Sequence, residues 1–258
     1  MSGPSIIPHD SGVVYSDGGP LNREYHRWYS RYLNRDMELL AFGHAGLPVL
    51  VFPTSGGRFF DWEDRGMVGV LADTIVAGNI RLYCVDSVDM ESWYNRSVHP
   101  RDRVQRHLAY ERYILDEVLP LIDSRAGDRA DRRIAATGCS LGAFHAALLA
   151  FRHPQVVARM IAMSGKFENS SFLQGYADSE TYFTNPLAFL PGLDDPRYLE
   201  PLRAMDIVLV TGETDPHVQE DIALSRILHD KGVPNRLDIW QGWAHDWPYW
   251  QAMITKYL

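Results

Sequence analysis

Short apolar runs recur along the chain, and most are followed by a turn and then by a segment whose apolar residues fall at helical spacing. Leu47 to Phe52 (LPVLVF) is nearly continuous in apolar residues, as a strand buried on both faces of a parallel sheet should be. Comparable runs over Arg81 to Val88, Ile134 to Ala136, Val156 to Met163 and Ile207 to Val210, and one within Leu237 to Trp247, predict further strands. Trp28 to Leu33 and Met37 to Phe42 read as an antiparallel pair that opens the sheet. Helical periodicity lies between these runs, at Trp62 to Val76, Arg101 to Ser124, Ala143 to Phe151 and Val218 to Lys231, the last stopped by Gly232. In the long segment Val104, Leu108, Leu115, Val118 and Ile122 share a face, and Pro120 should kink or loosen the final turns. A last helix, DWPYWQAMITKYL, starts at Asp246 as cap with Pro248 in its first turn. Strands alternating with helices imply an α/β fold with a mostly parallel, doubly wound sheet.

Two segments break the rhythm. The loop from Asp86 to Pro100 leaves the carboxyl end of a strand, where open α/β sheets bind ligands, and it carries Trp93 and Tyr94. Residues 166–205 are irregular and rich in aromatics and proline, and read as a small cap inserted between two strands, too short for a large helical lid. Trp93, Tyr94, Phe59 and Trp243 are the aromatics expected at a substrate pocket wall.

The candidate chemistry sits at strand ends. In RIAATGCSLG the strand Ile134 to Ala136 runs into Gly138, Cys139, Ser140, Leu141 and Gly142, a G-x-S-x-G followed by an apolar helix. Small glycines let the chain turn so tightly that a serine is held strained above the sheet, as in a nucleophile elbow. A neutral serine needs a base and a group to orient it. Downstream, Asp215 follows the Ile207 strand and His245 follows the Leu237 strand, so Ser140, Asp215 and His245 occur in the order of an α/β-hydrolase triad. Glu213 is a rival carboxylate, His217 a rival base, and Asp246 adjoins the candidate base but suits a helix cap. Two backbone N–H groups should stabilise a developing oxyanion: that of Leu141, and one from Ser55, Gly56, Gly57 or Arg58, with the adjacent Gly56 and Gly57 allowing close approach.

Several segments together resemble the esterase D family of α/β-hydrolases: PVLVFPTSGG, YERYILDEVLPLI, GCSLGAFHA, RHPQVVARMIAMSG, GETDPH and GWAHDWPYW, spread from Arg31 to Leu258. That family includes S-formylglutathione hydrolases, feruloyl and other carboxylesterases, and mycolyltransferases. The resemblance implies an α/β-hydrolase fold and a serine hydrolase acting on a carboxylic ester or thioester through an acyl-enzyme. The loop reading PTSGG departs from S-formylglutathione hydrolases, whose loop begins with His and Gly, and points to another esterase branch. The same triad could serve an acyltransferase, and a non-catalytic binding protein on this fold is the reading furthest from an esterase.

Composition narrows the remaining classes. The chain has 258 residues, 46% of them hydrophobic, enough for a single catalytic domain over 1–258. A net charge of −8 argues against nucleic acid as a partner, and no apolar run approaches the roughly 20 residues of a membrane span. No signal-like segment stands at the start, so the expected compartment is the cytoplasm. Cys84 and Cys139 read as buried small hydrophobes rather than a disulfide pair. No H-E-x-x-H or zinc-like Cys/His spacing occurs, so neither metal nor cofactor is expected; the partner is a small-molecule ester or thioester, with a homo-oligomer left open.

Overall fold

A computed structural model describes residues 15–16, 20–127 and 129–258. These form a nine-stranded sheet: β1 (Tyr15–Ser16), β2 (Glu24–Ser30), β3 (Arg35–Phe42), β4 (Leu47–Phe52), β5 (Ile80–Val85), β6 (Ile134–Cys139), β7 (Val157–Met163), β8 (Asp206–Gly212) and β9 (Arg236–Trp240). Their spatial order is β1-β2-β3-β5-β4-β6-β7-β8-β9. The first three strands are antiparallel to their neighbours, and from β5 across to β9 every pairing is parallel. The mostly parallel sheet with an antiparallel opening is therefore as the sequence pattern implied.

Period-two alternation explains why the apolar runs are continuous. Leu50 and Phe52 enter the hydrophobic cluster on one face of the sheet, whereas Val49 and Val51 enter the cluster on the other. The same division separates Leu39 and Ala41 from Leu40 and Phe42. Both faces are covered, so a strand interior has no position where a polar side chain is cheap.

Element boundaries differ from expectation at several turns, each for a local reason. The first hairpin strand ends at Ser30, and the apolar Leu33 is buried within a turn closed by Asn34, whose φ is 53° and whose N–H reaches Ser30 O at 2.8 Å. The Trp62 to Val76 helix is three short pieces, Asp61–Asp64, Met67–Val70 and Ala72–Val76, the first break falling at Gly66 with φ 73°. The long helix runs Pro100–Tyr113, passes through one π-turn at Ile114–Val118 and resumes at Leu119–Ser124. Pro120 carries no N–H, and the wider turn just before it accommodates that break.

Between β7 and β8 the segment read as a cap forms short helices, Ser170–Leu173, Ser179–Phe183, Pro186–Phe189 and Pro196–Arg203. Phe172, Leu173, Phe189 and Leu190 anchor it in the main cluster. The buried Asn169 amide ties its turns together, donating to Thr181 O at 2.9 Å and Thr184 O at 3.1 Å. The buried guanidinium of Arg103 donates to Phe172 O at 2.7 Å, joining the cap to the long helix.

Candidate active site

The parallel strands end level with one another, so whatever follows each is delivered to one edge. Phe52 pairs with Gly138, Cys139 with Met163, Met163 with Val210, and Gly212 with Trp240. Ser140 stands one residue past β6, at φ 56° and ψ −118°, a conformation that costs a non-glycine residue on the order of 1–3 kcal/mol. The surrounding packing imposes it. A Cβ on Gly138 would lie 2.4 Å from the Gly142 carbonyl carbon, and one on Gly142 would lie 2.5 Å from Phe52 O. The strand, the elbow and the helix Leu141–Arg152 thus interlock only with glycine at both places. Because Leu141 opens that helix, its N–H has no intrahelical acceptor and, among the described residues, no other acceptor, leaving it beside Ser140.

Asp215 and His245 meet across the next two loops. The Nδ1–H of His245 donates to Asp215 Oδ2 at 2.7 Å, and the N–H of His217 donates to Asp215 Oδ1 at 2.8 Å. Burial pushes the Asp215 carboxyl upward, but the hydrogen bonds from the His245 ring and the His217 amide outweigh it and hold the group below its ordinary value. The loop bearing His245 is fixed from beneath. A Cβ on Gly212 would strike Trp243 O at 2.3 Å, the Ser164 hydroxyl donates to Ala244 O at 2.8 Å, and Trp250 Nε1 donates to Ser164 Oγ at 3.0 Å. The Trp250 ring lies edge-on to the imidazole at 5.3 Å.

The rival groups are engaged elsewhere. Glu213 accepts from the N–H of Gly242 at 3.0 Å, Asp246 caps its helix by accepting from Trp247 N–H at 2.7 Å, and His217 Nδ1 lies 2.9 Å from Glu220 Oε1. Cys139, next to the serine, is buried and free, and burial holds its thiol well above the ordinary range. It reads as packing, not as a nucleophile.

Two expectations need correction. Gly57 N–H closes a turn onto Thr54 O at 2.8 Å, and Gly56 N–H points at the Asp89 carboxylate at 3.3 Å, so neither amide is free for an oxyanion. Thr54 N–H is likewise occupied, by Asp61 at 3.0 Å. Of the four amides the sequence offers, those of Ser55 and Arg58 have no acceptor among the described residues, and Ser55, three residues past the end of β4, lies nearer the strand end. Trp93 is wholly buried, wedged against Phe144 and Phe172 where the loop, the elbow helix and the cap meet, and cannot wall a pocket. Tyr94 is half-buried with its hydroxyl 3.0 Å from Ser55 Oγ, while Trp243 is exposed with its ring 5.9 Å from that of His245. Phe59 packs on Tyr25 and Phe60 at 5.8 and 5.0 Å.

Asp221 is a feature no motif signalled. It sits on the helix Val218–Asp230, fully buried, with the Thr211 hydroxyl near its carboxyl but no bond of good geometry between them. Burial first, then the charges of Asp215 and Glu220, raise its pKa well above 3.8. The folded protein therefore holds this proton to higher pH than the unfolded chain, and stability falls as pH rises above about 4 toward the raised pKa. Asp221→Asn should remove that slope: as pH rises above about 4, the unfolding free energy from urea titrations should move in favour of the variant over the unsubstituted protein, by roughly 1–3 kcal/mol. Parallel pH profiles of the two free energies would show the carboxyl to be ionised throughout.

A strained serine at an elbow, delivered to the carboxyl edge of a doubly wound sheet alongside an Asp–His pair, defines the α/β-hydrolase class. Within it, the chain belongs to the family described as Putative esterase, whose pattern matches residues 50–258, and it is an enzyme of the carboxylesterase type. Solved structures share the fold at low sequence identity. A ferulic acid esterase superposes with a TM-score of 0.72 at 17% identity, covering 91% of this chain and 95% of its own. An S-formylglutathione hydrolase from Agrobacterium tumefaciens gives 0.73 at 11%, covering 95% and 96%. The fluorophosphonate-binding serine hydrolase F of Staphylococcus aureus gives 0.64 at 14%, covering 92% and 97%. No curated protein matches the chain by sequence. No described helix is long and apolar enough to cross a membrane.

Proposed function

We propose that this esterase is a serine hydrolase that cleaves a small carboxylic ester or thioester through an acyl-enzyme, with Ser140 as nucleophile, His245 as base and Asp215 as its partner. The observation that carries this reading is the 2.7 Å His245–Asp215 bond placed at the same sheet edge as the strained Ser140. His245 Nε2 takes the Ser140 proton as Oγ attacks the acyl carbon, and Asp215 holds the Nδ1–H tautomer and balances the imidazolium. The carbonyl oxygen becomes an oxyanion facing the N–H of Leu141 and the N–H of Ser55. Collapse breaks the bond to the alcohol or thiol, which leaves with the proton from His245. Water then repeats the sequence on the acyl-enzyme, releasing the acid and restoring Ser140. No metal or cofactor takes part in this scheme.

Substrate size follows from the walls. Tyr94 is tied to the loop at Ser55, Trp243 borders His245, Phe59 is fixed by its aromatic neighbours, and the cap is pinned by Asn169 and Arg103. Such a rim accepts acyl groups of about two to four carbons or one compact aromatic ring, since overfilling a rigid site costs about 1–3 kcal/mol, or roughly ten- to a hundredfold in rate. The test is kcat/KM along p-nitrophenyl esters and matched thioesters. A fall beyond butyrate is expected; a steady rise from acetate to octanoate would mean an open cleft and refute the reading.

A further inference from the structure

The loop that supplies Ser55 is matched residue for residue by the loop after β5. Tyr94 OH donates to Ser55 Oγ at 3.0 Å, Gly56 N–H donates to Asp89 Oδ2 at 3.3 Å, Ser87 Oγ donates to Gly57 O at 2.9 Å, and Arg58 Nε donates to Asp86 Oδ1 at 2.6 Å. Four consecutive residues are thus each held by a different side chain or carboxylate of one facing segment. The Asp89 contact differs from the other three because it continues into the elbow helix. Its second oxygen, Oδ1, accepts from His145 Nε2–H at 2.8 Å, and both side chains are almost completely shielded from solvent. His145 lies on the helix that begins directly after Ser140, its ring stacked on His107 at 5.4 Å and packed against Phe52, the last residue of β4, at 5.8 Å.

We propose that Asp89, oriented by His145, is a positioning residue that sets the Ser55–Gly57 loop at a fixed distance from the elbow and so holds the Ser55 N–H on the developing oxyanion. The inference rests on the esterase reading above. A buried carboxylate can accept two N–H donors at once, one from each element that must be aligned, and no neutral side chain of the same size does this. Asparagine could keep both bonds by turning its NH2 toward His145 in the tautomer that accepts at Nε2, so the discriminating change is Asp89→Leu, which keeps the shape and accepts from neither donor. The loop would then be released from the helix while the Asp215–His245 pair, on the far side of Ser140, is untouched. Since the loop amide acts on charge that exists only in the transition state, its displacement should appear in kcat and not in KM.

The test compares the full-length protein with Asp89→Leu and His145→Gln. Active sites are counted by titration with a fluorophosphonate, and the exchange of backbone amides in the 53–58 segment is followed by mass spectrometry. For Asp89→Leu we expect a full count of titrated sites, a kcat per site lowered about ten- to a hundredfold, KM within about threefold, an unmoved acid limb of the pH–rate profile, and faster exchange confined to 53–58. His145→Gln keeps an N–H donor toward Asp89 and should stay within about threefold of the parent in kcat. Unchanged exchange in 53–58, a kcat per site within threefold for Asp89→Leu, or a loss expressed in KM or in the number of titrated sites would overturn the proposal. Absence of ester turnover in the parent protein would instead strike the esterase reading, and the exchange of 53–58 would still decide whether Asp89 holds the loop.

Discussion

Ser140→Ala is expected to lower ester turnover by about 10⁴-fold or more while leaving the thermal midpoint unchanged or slightly raised. The loss is large because alanine removes the only atom that can form the acyl-enzyme, and what remains is binding plus whatever the Leu141 and Ser55 amides contribute to direct attack by water. The fold should tolerate the change because Ser140 is only partly buried, its Oγ makes no hydrogen bond among the described residues, and the tight turn is enforced by Gly138 and Gly142. Alanine keeps the same positive φ at similar cost and loses only a polar atom. Intact-mass spectrometry after fluorophosphonate treatment gives the independent check: one adduct, on the peptide containing Ser140, present in the parent protein and missing in the variant. An adduct on another serine, or turnover undiminished by the substitution, would end the assignment.

What the sequence revealed, and what it hid, divides along physical lines. Features written in local pattern were legible: the LPVLVF strand, the glycines around Ser140 and the residues that follow β8 and β9, because strand ends in a parallel sheet are carried to one edge regardless of the details of packing. Hidden were the features that depend on which donors are already taken. Nothing in PTSGG announces that Gly57 N–H is used in the turn or that Gly56 N–H faces a carboxylate. Two glycines in a row signal room for close approach, not the direction in which their amides point. Trp93 misled for a related reason. Its loop does leave the active edge, but a large apolar side chain on such a loop gains more by closing the junction of loop, elbow helix and cap than by facing water, and it is buried accordingly. The Asp89–His145 bond spans 56 residues of sequence and has no spacing that a local pattern could show. Ser164 and Trp250, which fix the His245 loop, are hidden in the same way.

The choice among carboxylates yields the second large effect. Asp215→Asn should cut kcat/KM by orders of magnitude, about 10⁴-fold, whereas Glu213→Gln and Asp246→Asn should each stay within about tenfold. An asparagine in place of Asp215 can present its NH2 to His245, which favours the tautomer with its proton on Nε2 and so leaves no lone pair to receive the Ser140 proton. The charge matters as well as the shape. With its carboxyl held below the ordinary value by the His245 ring and the His217 amide, Asp215 stays ionised across the neutral range and is available to balance the imidazolium. Because that pKa is depressed on folding, the same bonds add stability above the ordinary Asp value near 3.8 and lose it as pH falls through the lower folded value, so Asp215→Asn should also blunt acid unfolding. Glu213 and Asp246 have no comparable role: the first is exposed and accepts from Gly242, the second caps its helix. Loss of a helix cap costs about 0.5–2 kcal/mol of stability, which Asp246→Asn largely preserves since asparagine caps equally well. Kinetics of the three variants on one short ester decide the matter, and a dominant loss at Glu213 or Asp246 would reassign the partner of His245.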